Sequence, residues 1–163
     1  MRIIAECYAN QCLAQELKHY IQNLRKDFRV YIGHNYRFGR DKILKLIERN
    51  ADQVNDLIIA IIDYEKGISR KYIDSRFKLS EIKDSILFGK HKHRDNVVAI
   101  IFDPNIEEAV LCKYFPILCK DIDYYDQIKS DKACELLKKY LKRKPINEII
   151  LMIAKTITHY YWE

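Results

Sequence analysis

The sequence predicts an α/β fold: a mainly parallel four-stranded sheet with helices on both faces, extended by a C-terminal helical annex. Two observations carry this expectation. Residues 57–62 and 97–102 are uninterrupted apolar runs of strand length, as burial on both faces of a sheet demands. Around them, segments with apolar residues three and four apart alternate with short β-type runs, giving the order βαβαβαβα and then αα.

The elements follow in sequence. Residues 2–6 form the first strand. Leu13, Leu17, Tyr20, Ile21 and Leu24 then fall on one helical face, with Asn10 as the expected N-cap. Residues 28–32 read as the second strand, broken by Gly33, and 33–39 as a polar, aromatic loop. Asp41 is placed to cap a helix that carries Ile43, Leu44, Ile47, Ala51 and Val54 on one side. The third strand spans 56–62. Gly67 and Ser69 open a short helix reaching about Phe77. Residues 78–96 lack periodicity and are expected to be loop with at most one helical turn. The fourth strand, 97–102, ends at Asp103-Pro104, and a helix from about Ile106 to Phe115 follows. Pro116 begins a break lasting to about Tyr125. Helices near 127–141 and 146–161 complete the annex, with Pro145 at a helix start. No repeat or linker divides the 163 residues, which form one domain with a core at 1–115 and the annex at 116–163.

With 48% hydrophobic and 32% charged residues, the composition is that of a globular protein and excludes a disordered one. No apolar stretch reaches the roughly 18 residues of a membrane span, and residues 1–5 run into strand without a leader pattern. A cytoplasmic protein with no membrane partner is expected. The five cysteines (Cys7, Cys12, Cys112, Cys119, Cys134) include no CxxC pair and read as reduced thiols rather than zinc ligands. The formal net charge of +6 favours an anionic partner, DNA or RNA foremost.

Two acidic clusters close apolar strands: Glu6 after the first, and Asp63-Tyr64-Glu65 after the third. In a parallel sheet the strand carboxyl ends share one rim, where ligands bind. Carboxylates meeting there repel one another unless a proton or cation intervenes. Mg²⁺ or Mn²⁺ suits such oxygen ligands and keeps waters of its own. In an extended segment, Asp63 and Glu65 point the same way and can face one ion. A polar turn ending a strand is the alternative origin of the same pattern.

A glutamate after the first strand and an Asp-x-Asp-like pair after the third, in a βαβαβαβ order, resemble the Toprim domain of topoisomerases, primases and OLD-family nucleases. The resemblance covers residues 1–115 and implies a Rossmann-like core with a divalent-metal site. Glu6 would be ligand or general acid/base, and Asp63 and Glu65 would hold the metal for phosphoryl transfer. Nuclease relatives further imply a second metal site, for which Asp103 and Glu107 are the candidates; charge preference at a helix start accounts for them equally. The chain departs from the pattern at Cys7, where the family has Gly, at Asn10, where an acid is common, and at Glu65, the longer acid.

Between Lys66 and Arg94 there are nine Lys or Arg against three acids. Lys66, Arg70, Lys71, Lys90, Lys92 and Arg94 therefore read as a phosphate track beside the acids. His34, Arg37 and Arg40, in a loop with aromatic residues, would add contacts to phosphates and unpaired bases. A solvated surface is the competing reading for both. The absence of GxxxxGK[ST] and GxGxxG excludes those nucleotide sites. The sequence thus points to a metal-dependent nuclease, Toprim-like by resemblance, acting on nucleic acid as a monomer or homo-oligomer. The rivals are a non-catalytic binding or regulatory protein on that scaffold, and a response-regulator-like or PIN-like fold with similarly placed acids.

Overall fold

The computed structural model describes residues 1–33 and 40–162. Its centre is two strands, β3 (Ile58–Asp63) and β6 (Val97–Phe102), in which every residue is buried. They pair in parallel from Ile58↔Val97 to Asp63↔Phe102. Their side chains alternate between two apolar clusters: Ile59, Ile61, Val98, Ile100 and Phe102 face one, and Ile58, Ala60, Ile62, Val97, Ala99 and Ile101 the other. Neither face can be left to water, so helices cover both.

The parallel part of the sheet is completed by β1 (Arg2–Ala5) and β2 (Tyr31–Gly33). The whole sheet has six strands in the order β2-β1-β3-β6-β5-β4, because β4 (Phe77–Lys83) and β5 (Ile86–His91) add an antiparallel hairpin beside β6. This corrects the loop expected over 78–96 and raises the expected four strands to six. The hairpin's alternation is interrupted by a register shift between Glu81 and Lys83, which masks the period of two in the sequence. Its turn passes through Asp84 at φ 44°, a left-handed conformation that aspartate tolerates better than most residues.

On one face lie α2 (Arg40–Ala51) and α3 (Ile68–Arg76), which contribute Ile43, Leu44, Ile47 and Ile73. The other face is covered by α1 (Tyr8–Leu24) together with the annex. The π-helical segment Glu107–Leu111 runs into a single turn, α4 (Cys112–Tyr114), where one regular helix was expected. The expected break after Pro116 contains α5 (Ile117–Lys120) and α6 (Ile122–Ile128), followed by α7 (Ala133–Leu141) and α8 (Ile146–Tyr160). In α8, Ile146, Ile149, Ile150, Ile153 and Ile157 form the buried stripe against α1. The annex therefore supplies more than a third of the main core and is no appendage.

The cysteines differ from the expectation of reduced thiols. Disulfides join Cys12 to Cys134 and Cys112 to Cys119, and Cys7 is unpaired. The first ties α1 to α7 across 122 residues of chain, with Cα atoms 5.2 Å apart. In the chain-entropy account, closing a loop of that length stabilises by about 4–5 kcal/mol. Cys134→Ser is thus expected to lower the thermal midpoint measured without reductant and to make that midpoint less sensitive to dithiothreitol. An unchanged midpoint in the variant would show that this bridge does not contribute to stability.

Candidate functional site

The chain passes from β1 through β2 on one side and returns to β3 on the other, so β1 and β3 flank the point at which strand order reverses. Open α/β sheets bind ligands in the crevice outside the carboxyl ends of the strands at such a point. Glu6 and Asp63 stand there. The Glu6 N–H donates to the Ile61 carbonyl at 3.0 Å, and the Asp63 N–H donates to Glu6 Oε2 at 2.9 Å. The two strand ends expected to meet are therefore joined directly.

Asp63 is buried, 6% exposed. Its Oδ1 accepts from Asn10 Nδ2 and from the Ile106 N–H, both at 3.1 Å, and the Cys7 thiol lies 4.0 Å from Oδ2. Burial, reinforced by the negative charges of Glu6 and Glu107, pushes its carboxyl up to about 7 despite those donors. Burial likewise pushes the Cys7 thiol up, with the charges of Asp63, Glu107 and Glu6 acting in the same direction. Cys7, not Asn10, caps α1: its sulfur accepts from the Asn10 N–H at 3.5 Å. Asn10 sits inside the helix, its side chain turned onto Asp63.

Glu107 joins this group from the start of the π-helical segment. It is 4% exposed, and Lys129 Nζ, carried just beyond α6, binds its Oε1 at 2.6 Å. Burial alone would lower the Lys129 ammonium, but its bond to Glu107 and that carboxylate's charge hold it above its ordinary value. Glu107 Oε2 and Asn10 Oδ1 are buried with no hydrogen-bond partner among the described residues. Buried oxygens of this kind are costly to leave unmet. They are hard donors, of the chemistry that Mg²⁺ or Mn²⁺ takes.

The other expected ligands differ from this group in burial or in partner. Glu65 is exposed whereas Asp63 is buried, because the strand ends at Asp63 and the alternation that would align them stops. Asp103 is bonded to Arg70 at 3.0 Å instead of accompanying Glu107. Arg70 also lies 3.9 Å over the Tyr64 ring, and the Tyr64 hydroxyl donates to Asp74. Among the described residues, no three His, Cys, Asp or Glu side chains converge closely enough to enclose an ion. The set Glu6, Asp63 and Glu65 is thus not a ready-made cage. The buried oxygens at this strand end are instead those of Asp63, Glu107 and Asn10, with Glu6 joined to them through the Asp63 N–H.

The expected phosphate track is divided between two rims. Lys66 and Lys71 are exposed after β3, on the carboxylate side. The antiparallel hairpin carries the rest away: Ile86 pairs with Phe102, but Lys90 pairs with Val98, about 13 Å further along the sheet. Lys90, Lys92 and Arg94 therefore belong to the opposite rim, where Lys92 binds the Asp74 carbonyl at 2.7 Å and Arg94 clasps Asp52. His34 and Arg37 lie outside the described residues; Arg40 begins α2, and its side chain lies outside them too.

Sequence reasoning missed Asn10, Cys7 and Lys129 as parts of this group. The first two stand directly after β1, a signal available in the sequence; Lys129 has no local signal. Because folding raises the Asp63 carboxyl, its contribution to stability is fully present below the unfolded value near 4 and is lost as pH rises through about 7. Metal-free protein is expected to lose on the order of a few kcal/mol between pH 4 and 8 from this group, and Asp63→Asn to flatten that slope in urea titrations. Lys129→Ala, which strands the Glu107 carboxylate, is expected to cost about 2 kcal/mol at pH 7 in the same measurement. Compared with family models, with curated proteins and with solved structures, the chain finds no match.

Proposed function

We propose that the chain is a Toprim-like, metal-dependent phosphoryl-transfer protein acting on nucleic acid, with phosphodiester cleavage as its reaction. The observation that carries this reading is the junction of Glu6 and Asp63 at the strand-order reversal, with Glu107 buried alongside. Mg²⁺ or Mn²⁺, when bound, would polarise a phosphoryl oxygen and make a water more acidic. Glu6 and Asp63 would hold it, with Asn10 and Glu107 supplying the unpartnered oxygens. Glu6, less buried than Asp63, is the group in position to take a proton from an attacking water. Lys66 and Lys71 would meet the flanking phosphates, while Arg70 stays committed to Asp103 and Tyr64.

A second reading, a non-catalytic nucleic-acid-binding or regulatory protein, is favoured by one feature. Lys129 already neutralises Glu107, and a proton on Asp63 would relieve the remaining repulsion. The group can then be stable with no cation.

Millimolar Mn²⁺ is expected to raise the melting temperature, more at pH 8 than at pH 6, since the ligands must be deprotonated. Labelled single- and double-stranded DNA and RNA should be cut with Mn²⁺. Asp63→Asn should abolish both the cutting and the thermal shift while leaving circular dichroism unchanged. Nucleic acid bound but uncut, with no thermal shift, would replace the first reading by the second.

A further inference from the structure

We propose that the amino-terminal rim of the sheet, opposite the carboxylates, is a binding site for unpaired nucleic acid. A cavity of about 560 Å³ opens there, lined by Asn55, Leu57, Lys90, Asn96, Tyr160 and Tyr161, with Asp95 at its edge. That volume suits a nucleotide or two. Tyr161 also lines a neighbouring cavity of about 380 Å³ with Phe28, Arg29 and Tyr31, so the two cavities share that ring. Three large aromatic side chains stand open on this rim, Trp162 beside the Phe28 and Tyr161 that line the cavities: Tyr31 is 57% exposed, Tyr161 48% and Trp162 59%. An exposed concentration of this kind signals a ligand surface rather than an ordinary solvated one.

Cations are interleaved with the rings. The Arg25 guanidinium lies 4.0 Å over Trp162, and Lys90 Nζ lies 4.6 Å over Tyr160. Alternating ring faces and cations match a strand of alternating bases and phosphates: bases stack on the rings, and phosphates meet Lys90 and the exposed Arg29, while Arg25 stays paired with Asp27. Among the described residues, no acid of this rim is paired with Lys90 or with Arg29, which lines the smaller cavity. Asp27 is bonded to Arg25, Asp52 to Arg94, and Asp56 lies 3.9 Å from the Met1 ammonium. Asn55, exposed at the larger cavity, offers both a donor and an acceptor to a base edge. The chain's net charge of +6 favours this anionic occupant over a second copy of the chain, which would carry the same excess.

Trp162 is the only tryptophan, so its fluorescence reports on this rim alone. The full chain is titrated with an oligothymidylate of about 12 nucleotides in the presence of a chelator. This keeps the carboxylate rim out of the measurement, and the result is independent of whether the protein cleaves. Saturable quenching that weakens as salt rises is expected, with Tyr161→Ala and Lys90→Glu each reducing affinity about tenfold. Lys90 is exposed, so its variant remains informative if the Tyr161 variant folds poorly. Absence of quenching, or unchanged affinity in Lys90→Glu, overturns the proposal. So does sedimentation showing a dimer that buries Trp162 and excludes the oligonucleotide.

Discussion

β3 and β6 have no face turned to solvent, and this constraint organises the molecule. Eleven apolar residues divided between the two sides need a layer above and a layer below. The sequence meets the demand with α2 and α3 on one side and with α1, α7 and α8 on the other. Once both faces are covered, only the strand ends and loops remain open to ligands. Chemistry is confined to the rims by the same burial that stabilises the fold. Each rim has acquired its own character, oxygen-rich at the carboxyl ends and aromatic at the amino ends.

At the carboxyl rim, electrostatics and hydrogen bonding oppose each other. The buried Asp63 carboxyl feels the charges of Glu6 and Glu107 where water cannot screen them well. Two donors on Asp63 and one lysine on Glu107 relieve only part of the repulsion. What remains appears as a raised Asp63 carboxyl and as oxygens without partners. A carboxyl so raised is a better candidate for chemistry than the equally polar but charge-paired Arg70–Asp103 contact.

Much of this was legible in the residues. β3 and β6 were marked by unbroken apolar runs, and α1, α2 and α8 by stripes of helical period. Glu6 and Asp63 were marked by where those strands stop. The hairpin was not legible: Phe77 and Leu79, then Ile86 and Phe88, do alternate, but the bulge between Glu81 and Lys83 puts the two halves out of step. Missing it also misplaced Lys90, Lys92 and Arg94, because an antiparallel return reverses which end of the sheet a residue reaches. Glu65 differs from Asp63 in burial for a related reason, since the rule of alternating sides holds only while the strand lasts. Lys129 could not be found at all, because its partnership with Glu107 exists only through the packing of the annex.

That packing bears on how the polypeptide could be shortened. A fragment stopping at residue 115 would keep every strand of the sheet, yet it would bare the side of α1 now seated against Leu137, Ile150 and Ile157. The same cut would remove the ammonium that balances Glu107. The boundary that composition suggests is therefore no seam in the folded molecule: shelter for the greasy side and charge balance for the acidic end arrive together, from the last third of the polypeptide.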